Sequence, residues 1–238
     1  MDVPRTVTAA LEDRPVDGRR CLEAGAGVGN TTAGLLDRGA SRVYAVTDRR
    51  EDAQTTRCRV DRGTDRLAVL EADLRSIPLP DDSVDLITAH GLCNVLDPSA
   101  LSMVVAELTR VAVPGCHLVV DDYDPLPAEA AVRELFAVEN AAANLATGRP
   151  ALTFYPATVL RHQFEGRGWT SDRERTLMEP VPWTENHLGT HADTAVSFAR
   201  DCPDDLGESL AERADGLATE LGSESAGRMY SLALQLQA

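Results

Sequence analysis

An α/β fold, a parallel sheet covered by helices on both faces, is predicted by three observations. Short apolar runs alternate with helical patterns through the first half of the chain. A glycine-rich turn links the first such run to the first helical pattern. The length, 238 residues, suits one α/β domain with a substantial core.

Each element follows in order. Residues 20–23 read as a first strand and 31–37 as the helix after it. Residues 42–47, 66–71 and 83–88 supply three further strands, and a helix is expected over 101–111. Pro114-Gly115 then turns the chain into a fifth strand at 116–120. The second half is less regular. An alanine-rich helix is expected over 127–146, opened by Pro127 and ended by Gly148-Arg149-Pro150. Pro156 opens another, closed by Gly166-Arg167-Gly168, and a strand follows at 175–178. Leu206, Leu210, Leu217 and Leu221 fall on one face of an acidic helix. Residues 229–236 alternate apolar and polar as a half-covered final strand should. There is no internal repeat, low-complexity tract or evident linker, so one domain over residues 1–238 is expected.

Charge narrows the function. The formal net charge is −15, and all 23 basic residues are arginine. Such a field repels nucleic acid and anionic membranes unless a local basic patch overrides it. The dense basic clusters, Arg49-Arg50 and Arg57 to Arg66, are interrupted by acids, so no nucleic-acid partner is expected. Acidity without lysine is the surface of a protein working in concentrated salt; arginine-rich codon usage alone does not predict the acids. No apolar run approaches the ~18 residues of a membrane span, and the N-terminus lacks a secretory pattern, so a soluble cytoplasmic protein is expected, as a monomer or homodimer. Cys21, Cys58, Cys93, Cys116 and Cys202 are odd in number and show no C-x-x-C pair, which indicates neither a disulfide framework nor zinc.

The chemistry gathers at Glu23-Ala24-Gly25-Ala26-Gly27-Val28-Gly29. Glycines here let the backbone turn sharply and approach a ligand. A dinucleotide site wants G-x-G-x-x-G, but the third glycine comes one residue early and position 30 is Asn. Carboxylates follow at useful distances. Asp48 ends the second strand, where it can accept both hydroxyls of a ribose. Asp73-Leu74 follows the third, where a carboxylate and a backbone N–H can address an adenine. Glu23 places negative charge where a cationic amino group could sit. Acids on both sides of the loop suit a ribose, an ammonium and a sulfonium better than a pyrophosphate.

With these residues in their order, the chain resembles the class I S-adenosylmethionine-dependent methyltransferases of small-molecule type. The matching segments run over residues 17–122 and include Glu71 to Leu79 and Glu107 to Gly115. The resemblance implies a Rossmann-like, doubly wound sheet of seven strands with an antiparallel last strand. It implies that Glu23, Gly25, Gly27 and Gly29, with Ala26 in the same loop, hold the methionine part, Asp48 the ribose, and Asp73 with Leu74 the adenine. Arg49 stands where the family usually has an aliphatic residue, and its guanidinium could stack on the adenine. Residues 126–226 are left to build the substrate side.

Other candidates carry less. His90 follows the fourth strand at the carboxyl edge, where it could touch the cofactor or deprotonate an acceptor. Asp121, Asp122 and Asp124 follow the fifth strand, but His90 stands where metal-dependent relatives would have an aspartate, and no metal is expected. His187 and His191 are four apart, with Gly189 weakening a helix between them, and read as surface or substrate-pocket residues. Phe154, Tyr155 and Trp183 lie where relatives build a lid over the acceptor; Tyr155 and Trp183 are taken as substrate candidates. The expected function is methyl transfer from S-adenosylmethionine to a small molecule. A non-catalytic adenosyl-ligand-binding subunit that activates a partner is the alternative, and a dinucleotide oxidoreductase a distant third.

Overall fold

Five apolar runs of the first half lie side by side in a computed structural model that describes residues 3–60 and 65–237. Arg62, within the second basic cluster, lies outside the described residues. Strands β1 (Arg20–Ala24), β2 (Arg42–Thr47), β3 (Leu67–Glu71), β4 (Val84–His90) and β5 (Ala112–Tyr123) pair in parallel in the order β3-β2-β1-β4-β5. Parallel strands need crossovers, and helices α2 (Asn30–Asp37), α3 (Arg50–Val60) and α4 (Pro98–Val111) supply three of them. A short α1 (Arg5–Ala10) precedes β1.

Both faces of this sheet are covered, so its central strands read as unbroken apolar runs. On one face Leu22, Ile87 and Leu118 pack with Leu101, Val104 and Leu108 of α4. On the other, Cys21, Val43 and Leu86 pack with Val7 and Leu11 from the α1 region and Leu35 of α2. Cys21 and Cys116 are buried apolar side chains with free thiols. Pro114-Gly115 is not a turn before β5 but a bulge inside it. Val84 pairs with Ala112 and Leu86 with His117, so β5 carries extra residues there, and Gly115 supplies the positive φ.

The second half contributes α5 (Val132–Thr147), α6 (Ala157–Glu165), β6 (Trp169–Met178), β7 (Pro182–Trp183), α7 (Glu185–Ala199), α8 (Asp204–Leu221), β8 (Glu224–Ser225) and β9 (Met229–Leu236). β9 inserts antiparallel between β5 and β6, completing seven strands in the order β3-β2-β1-β4-β5-β9-β6. This is the implied arrangement. β7 and β8 form a separate two-stranded ribbon. Helices α5, α7 and α8 bury a third core around Leu135, Phe136, Leu188, Ala195 and Leu217.

Four expectations need correction. β6 starts at Trp169, six residues before the expected strand, because an edge strand tolerates charges that hide it. Its Arg173 and Arg175 donate to the carbonyls of Ala10 and Ala9 and pair with Asp13. α5 starts at Val132, not Pro127. α7 runs unbroken through Gly189, with Thr184 capping its start and Leu188, Ala192 and Ala195 burying its inner face. On α8, Leu217 is buried but Leu206 is exposed, and Gly207 instead makes the close approach to the Ala199 carbonyl of α7.

Candidate active site

The loop after β1 sits at the carboxyl edge of the sheet, where ligands bind in open α/β folds. Gly25, Gly27 and Gly29 all have positive φ, at 76°, 48° and 81°, which L side chains resist. Their surroundings differ. A Cβ on Gly29 would lie 2.8 Å from Val60 Cγ2, and one on Gly25 3.1 Å from Leu92 Cδ1. These two let α3 and the β4–α4 connection close in. A Cβ on Gly27 would meet nothing within 4 Å, so only this glycine fronts open space. The Gly25 and Ala26 N–H groups both donate to the Val46 carbonyl of β2, fixing the loop on the sheet. Thr56 Oγ1 donates to the Gly27 carbonyl.

Glu23, the last inward carboxylate of β1, is buried at 2% exposure. It accepts from the Thr32 hydroxyl, with a further hydrogen bond from Thr31. Burial nonetheless pushes its carboxyl up to about 7. A buried acid held so poorly ionised gains from a cation beside it, which is the role an amino-acid ammonium would fill.

Asp48 is exposed just past β2, and its carboxylate makes no hydrogen bond to the described residues. Asp73 is differently placed. Arg75 grips it through Nε and Nη2 at 2.6–2.9 Å, and the Arg75 N–H adds a fourth bond at 2.8 Å. That partner holds Asp73 below the usual carboxylate range, so it must share its oxygens with any adenine amino group. Leu74 is half-buried against the first core. Arg49 is exposed, with Asp52 at 3.9 Å.

His90 and Asp121 are register partners across β4 and β5, with Nδ1 3.1 Å from Asp121 Oδ2. Burial disfavours the imidazolium. The hydrogen bond to Asp121 and the charges of Asp121, Glu23 and Asp122 outweigh that and raise the His90 pKa. Asp122 faces the other way and accepts from the N–H groups of Asn94 and Tyr123 at 3.1 and 2.8 Å, while burial lifts it to about 6. Asp124 is taken up by Arg228, at 2.6 Å, and by the Ala157 N–H. The expected trio of aspartates is thus dispersed, and no group of three metal-ligating side chains occurs among the described residues. Asp121 Oδ1 and Asn94 Oδ1 are buried without a hydrogen-bond partner among the described residues.

Beyond Gly91 lies a cavity of about 250 Å³. Its walls include Asn94, Tyr123, Phe154, Trp183 and His191. Of the two substrate candidates, Trp183 lines this cavity. Tyr155 does not; its ring is buried in the first core and its hydroxyl donates to the Leu96 carbonyl at 2.8 Å. The adjacent Phe154 lines the cavity instead. His187 and His191 both line the cavity, and His191 Nδ1 lies 2.8 Å from Glu139 Oε2. Glu139, Asn94 and Tyr123 were not candidates. Glu139 had a legible signal, since an acid spaced with Leu135, Phe136, Ala142 and Ala143 sits on the buried face of a helix.

The donor set fits an adenosyl sulfonium: open backbone at Gly27, a buried acid at Glu23, a free carboxylate at Asp48 and no basic cradle for a pyrophosphate in the loop.

Comparison with known proteins agrees. Residues 22–120 match the family described as "Methyltransferase domain". A demethylmenaquinone methyltransferase of Clavibacter sepedonicus is 36% identical over 114 residues, 48% of this chain and 44% of that protein. The chain spans about half the length of the curated relatives it matches. Among solved structures, the [4+2]-cyclase SpnF superposes with a TM-score of 0.67 at 17% identity, covering 98% of this chain and 80% of that one. The mycolic acid cyclopropane synthase CmaA1 gives 0.63 at 14%, covering 96% and 82%. Such similarities show the fold alone, and one of these folds carries a cyclase. No helix among the described residues is long and apolar enough to cross a membrane. With strand order and glycine loop in register, residues 22–120 are similar to the methyltransferase domain family, on the fold that its solved relatives share.

Proposed function

We propose that the protein transfers a methyl group from S-adenosylmethionine to a small-molecule acceptor held in the cavity behind Gly91. The observation that carries this reading is the continuity of the two sites. Leu92 packs against Gly25 of the cofactor loop, while Gly91 and Asn94, on the same connection, line the cavity. In this reading residues 1–238 act as one unit, with 17–122 holding the cofactor and 126–226 the acceptor. Glu23 meets the ammonium, Gly27 lets the methionine part lie on the backbone, and Asp48 takes the ribose hydroxyls. Asp73, shared with Arg75, and Leu74 border the adenine, with Arg49 free to swing over it. His90 walls the cofactor's reactive end.

The cofactor supplies an electrophilic methyl on a positively charged sulfur. The chain's share is to align the acceptor and exclude water, which is what methyl transfer chiefly needs. The curated relatives methylate quinone precursors by their names, but they match only about half of this chain. The third core, which builds the cavity, lies beyond the family match. The lysine-free acidic surface is read as an adaptation to concentrated salt.

Calorimetry of the purified protein in high salt tests the reading. Binding of S-adenosylmethionine and its demethylated product supports it, and no binding of either would sink it. Tight binding with no transfer to any acceptor and a co-purifying partner would favour an activating subunit instead.

A further inference from the structure

The cavity contains a proton acceptor already oriented for use. His191 on α7 and Glu139 on α5 meet at 2.8 Å, and Glu139 is 2% exposed. A carboxylate only accepts when ionised, so the proton on the ring belongs on Nδ1 and Nε2 is left as the basic nitrogen. Nε2 has no hydrogen-bond partner among the described residues. The ring is further fixed by edge contact with Phe136, 4.6 Å between centroids. Two rigid helices therefore hold both members of the pair, and the free edge belongs to a side chain that lines the cavity.

The remaining walls define what this base would meet. Phe, Tyr and Trp make up only 4% of the chain, yet Tyr123, Phe136, Phe154 and Trp183 gather here. Phe136 stacks on Phe154 at 5.5 Å and meets Trp183 edge-on at 5.2 Å. No arginine lines the cavity, so the basic side chains facing an acceptor there are His187 and His191. At about 250 Å³ the space falls just under the ~300–1,000 Å³ of pockets for drug-sized ligands. It suits one or two fused rings.

We propose that the acceptor is a flat conjugated ring bearing an ionisable hydroxyl, that His191 is its general base, and that Glu139 is the residue that positions His191. This rests on the methyl-transfer reading above. The acceptor's O–H bond breaks and the proton passes to His191 Nε2, leaving the electron pair on the conjugated system. The new bond to the methyl carbon forms from that system as the sulfur–methyl bond breaks, its pair staying on sulfur. His191 then returns the proton to solvent. His90 does not serve as the base, since His191 lines the cavity and His90 does not.

4-Nitrophenol, whose ionised form is yellow, tests the assignment, with 4-nitroanisole as a control lacking the proton. The other titratable groups around His191 are its partner Glu139 from α5, His187 from α7 and Tyr123 from β5; α8 shares the third core with α5 and α7 through the apolar Ala214 and Leu217, while its Arg213 pairs with Glu134 of α5. Bound to the wild-type protein, 4-nitrophenol should ionise at least about one pH unit below its value in free solution, because the phenolate pairs with protonated His191. His191→Gln should abolish that shift, and Glu139→Gln should reduce it. Both should keep the affinity for the demethylated cofactor within about two-fold, as distant sites do. Methyl transfer to the same phenol should fall about 10²–10⁴-fold in His191→Gln. Failure of the phenol to bind, an unshifted titration in the wild type, or a shift that survives His191→Gln would each overturn the proposal. Because the colour is read without cofactor, those failures are distinct from loss of S-adenosylmethionine binding, which would fell the methyl-transfer reading itself.

Discussion

Each half of the molecule holds a histidine against a carboxylate, and the two pairs are built differently. His90 and Asp121 are cross-strand neighbours on a sheet, surrounded by Glu23 and Asp122. His191 and Glu139 sit on separate helices in an aromatic enclosure. In the first pair the hydrogen bond and charge of Asp121, with Glu23 and Asp122 nearby, outweigh burial and raise the histidine's pKa. In the second, one buried acid fixes the ring and leaves a nitrogen for a neutral ligand. The same two residue types thus meet different surroundings, acids around one pair and aromatic rings around the other.

Four experiments break or sharpen this division. Phe136→Ala removes a ring shared by the third core and the His191 contact, and should cost about 3–5 kcal/mol of stability in a denaturant titration. Cofactor affinity of the folded fraction should persist; joint loss of both would show that the halves do not act separately. Gly27→Val fills the open space over the loop at a positive φ. It should weaken the demethylated cofactor at least ~100-fold, about 2.7 kcal/mol, by calorimetry, with 4-nitrophenol binding intact.

The third experiment uses pH. Glu23, raised to about 7, and Asp122, raised to about 6, bind protons more tightly when folded than when unfolded. Their contribution is therefore full below the ordinary carboxylate range and is lost as pH rises through about 6 to 7. Melting of the cofactor-free protein should move to lower temperature across that interval, by up to about 3 kcal/mol for Glu23. Glu23→Gln should flatten the profile, and so should saturating demethylated cofactor, because its ammonium favours the ionised acid. A profile unchanged by either would place Glu23 outside the cofactor site. The smallest effect is expected of Tyr155→Phe. It removes the hydroxyl bond to Leu96 and should cost about 1 kcal/mol without altering acceptor binding.

The first half was legible because its signals are local. A strand buried on both faces is a run of apolar residues, and a left-handed turn asks for glycine, so β1, β2, β4 and the loop at Gly25 to Gly29 could be read directly. Reading further required distance information. Nothing near Gly25 or Gly29 in sequence says that Leu92 and Val60 close over them while Gly27 stays open. The front of β6 is hidden by the charges of Asp172, Arg173 and Glu174, and Arg173's partner Asp13 lies 160 residues earlier. Tyr155 and Phe154 are adjacent and aromatic, and only the packing tells which turns inward to the core and which to the cavity. The His191–Glu139 pair spans 52 residues and two helices, so neither partner declared the other.

The insertion of β9 between β5 and β6 has a consequence for how the chain is made. β6 leaves the ribosome some fifty residues before β9, yet its place in the sheet lies beyond β9. It has no sheet partner until residues 229–236 emerge, and contacts of such sequence separation form slowly. The parallel half can assemble during synthesis, whereas the acceptor side waits for a strand that threads into the sheet from within. A nascent chain halted before residue 229 should therefore be able to hold nucleoside before it has anywhere to put an acceptor.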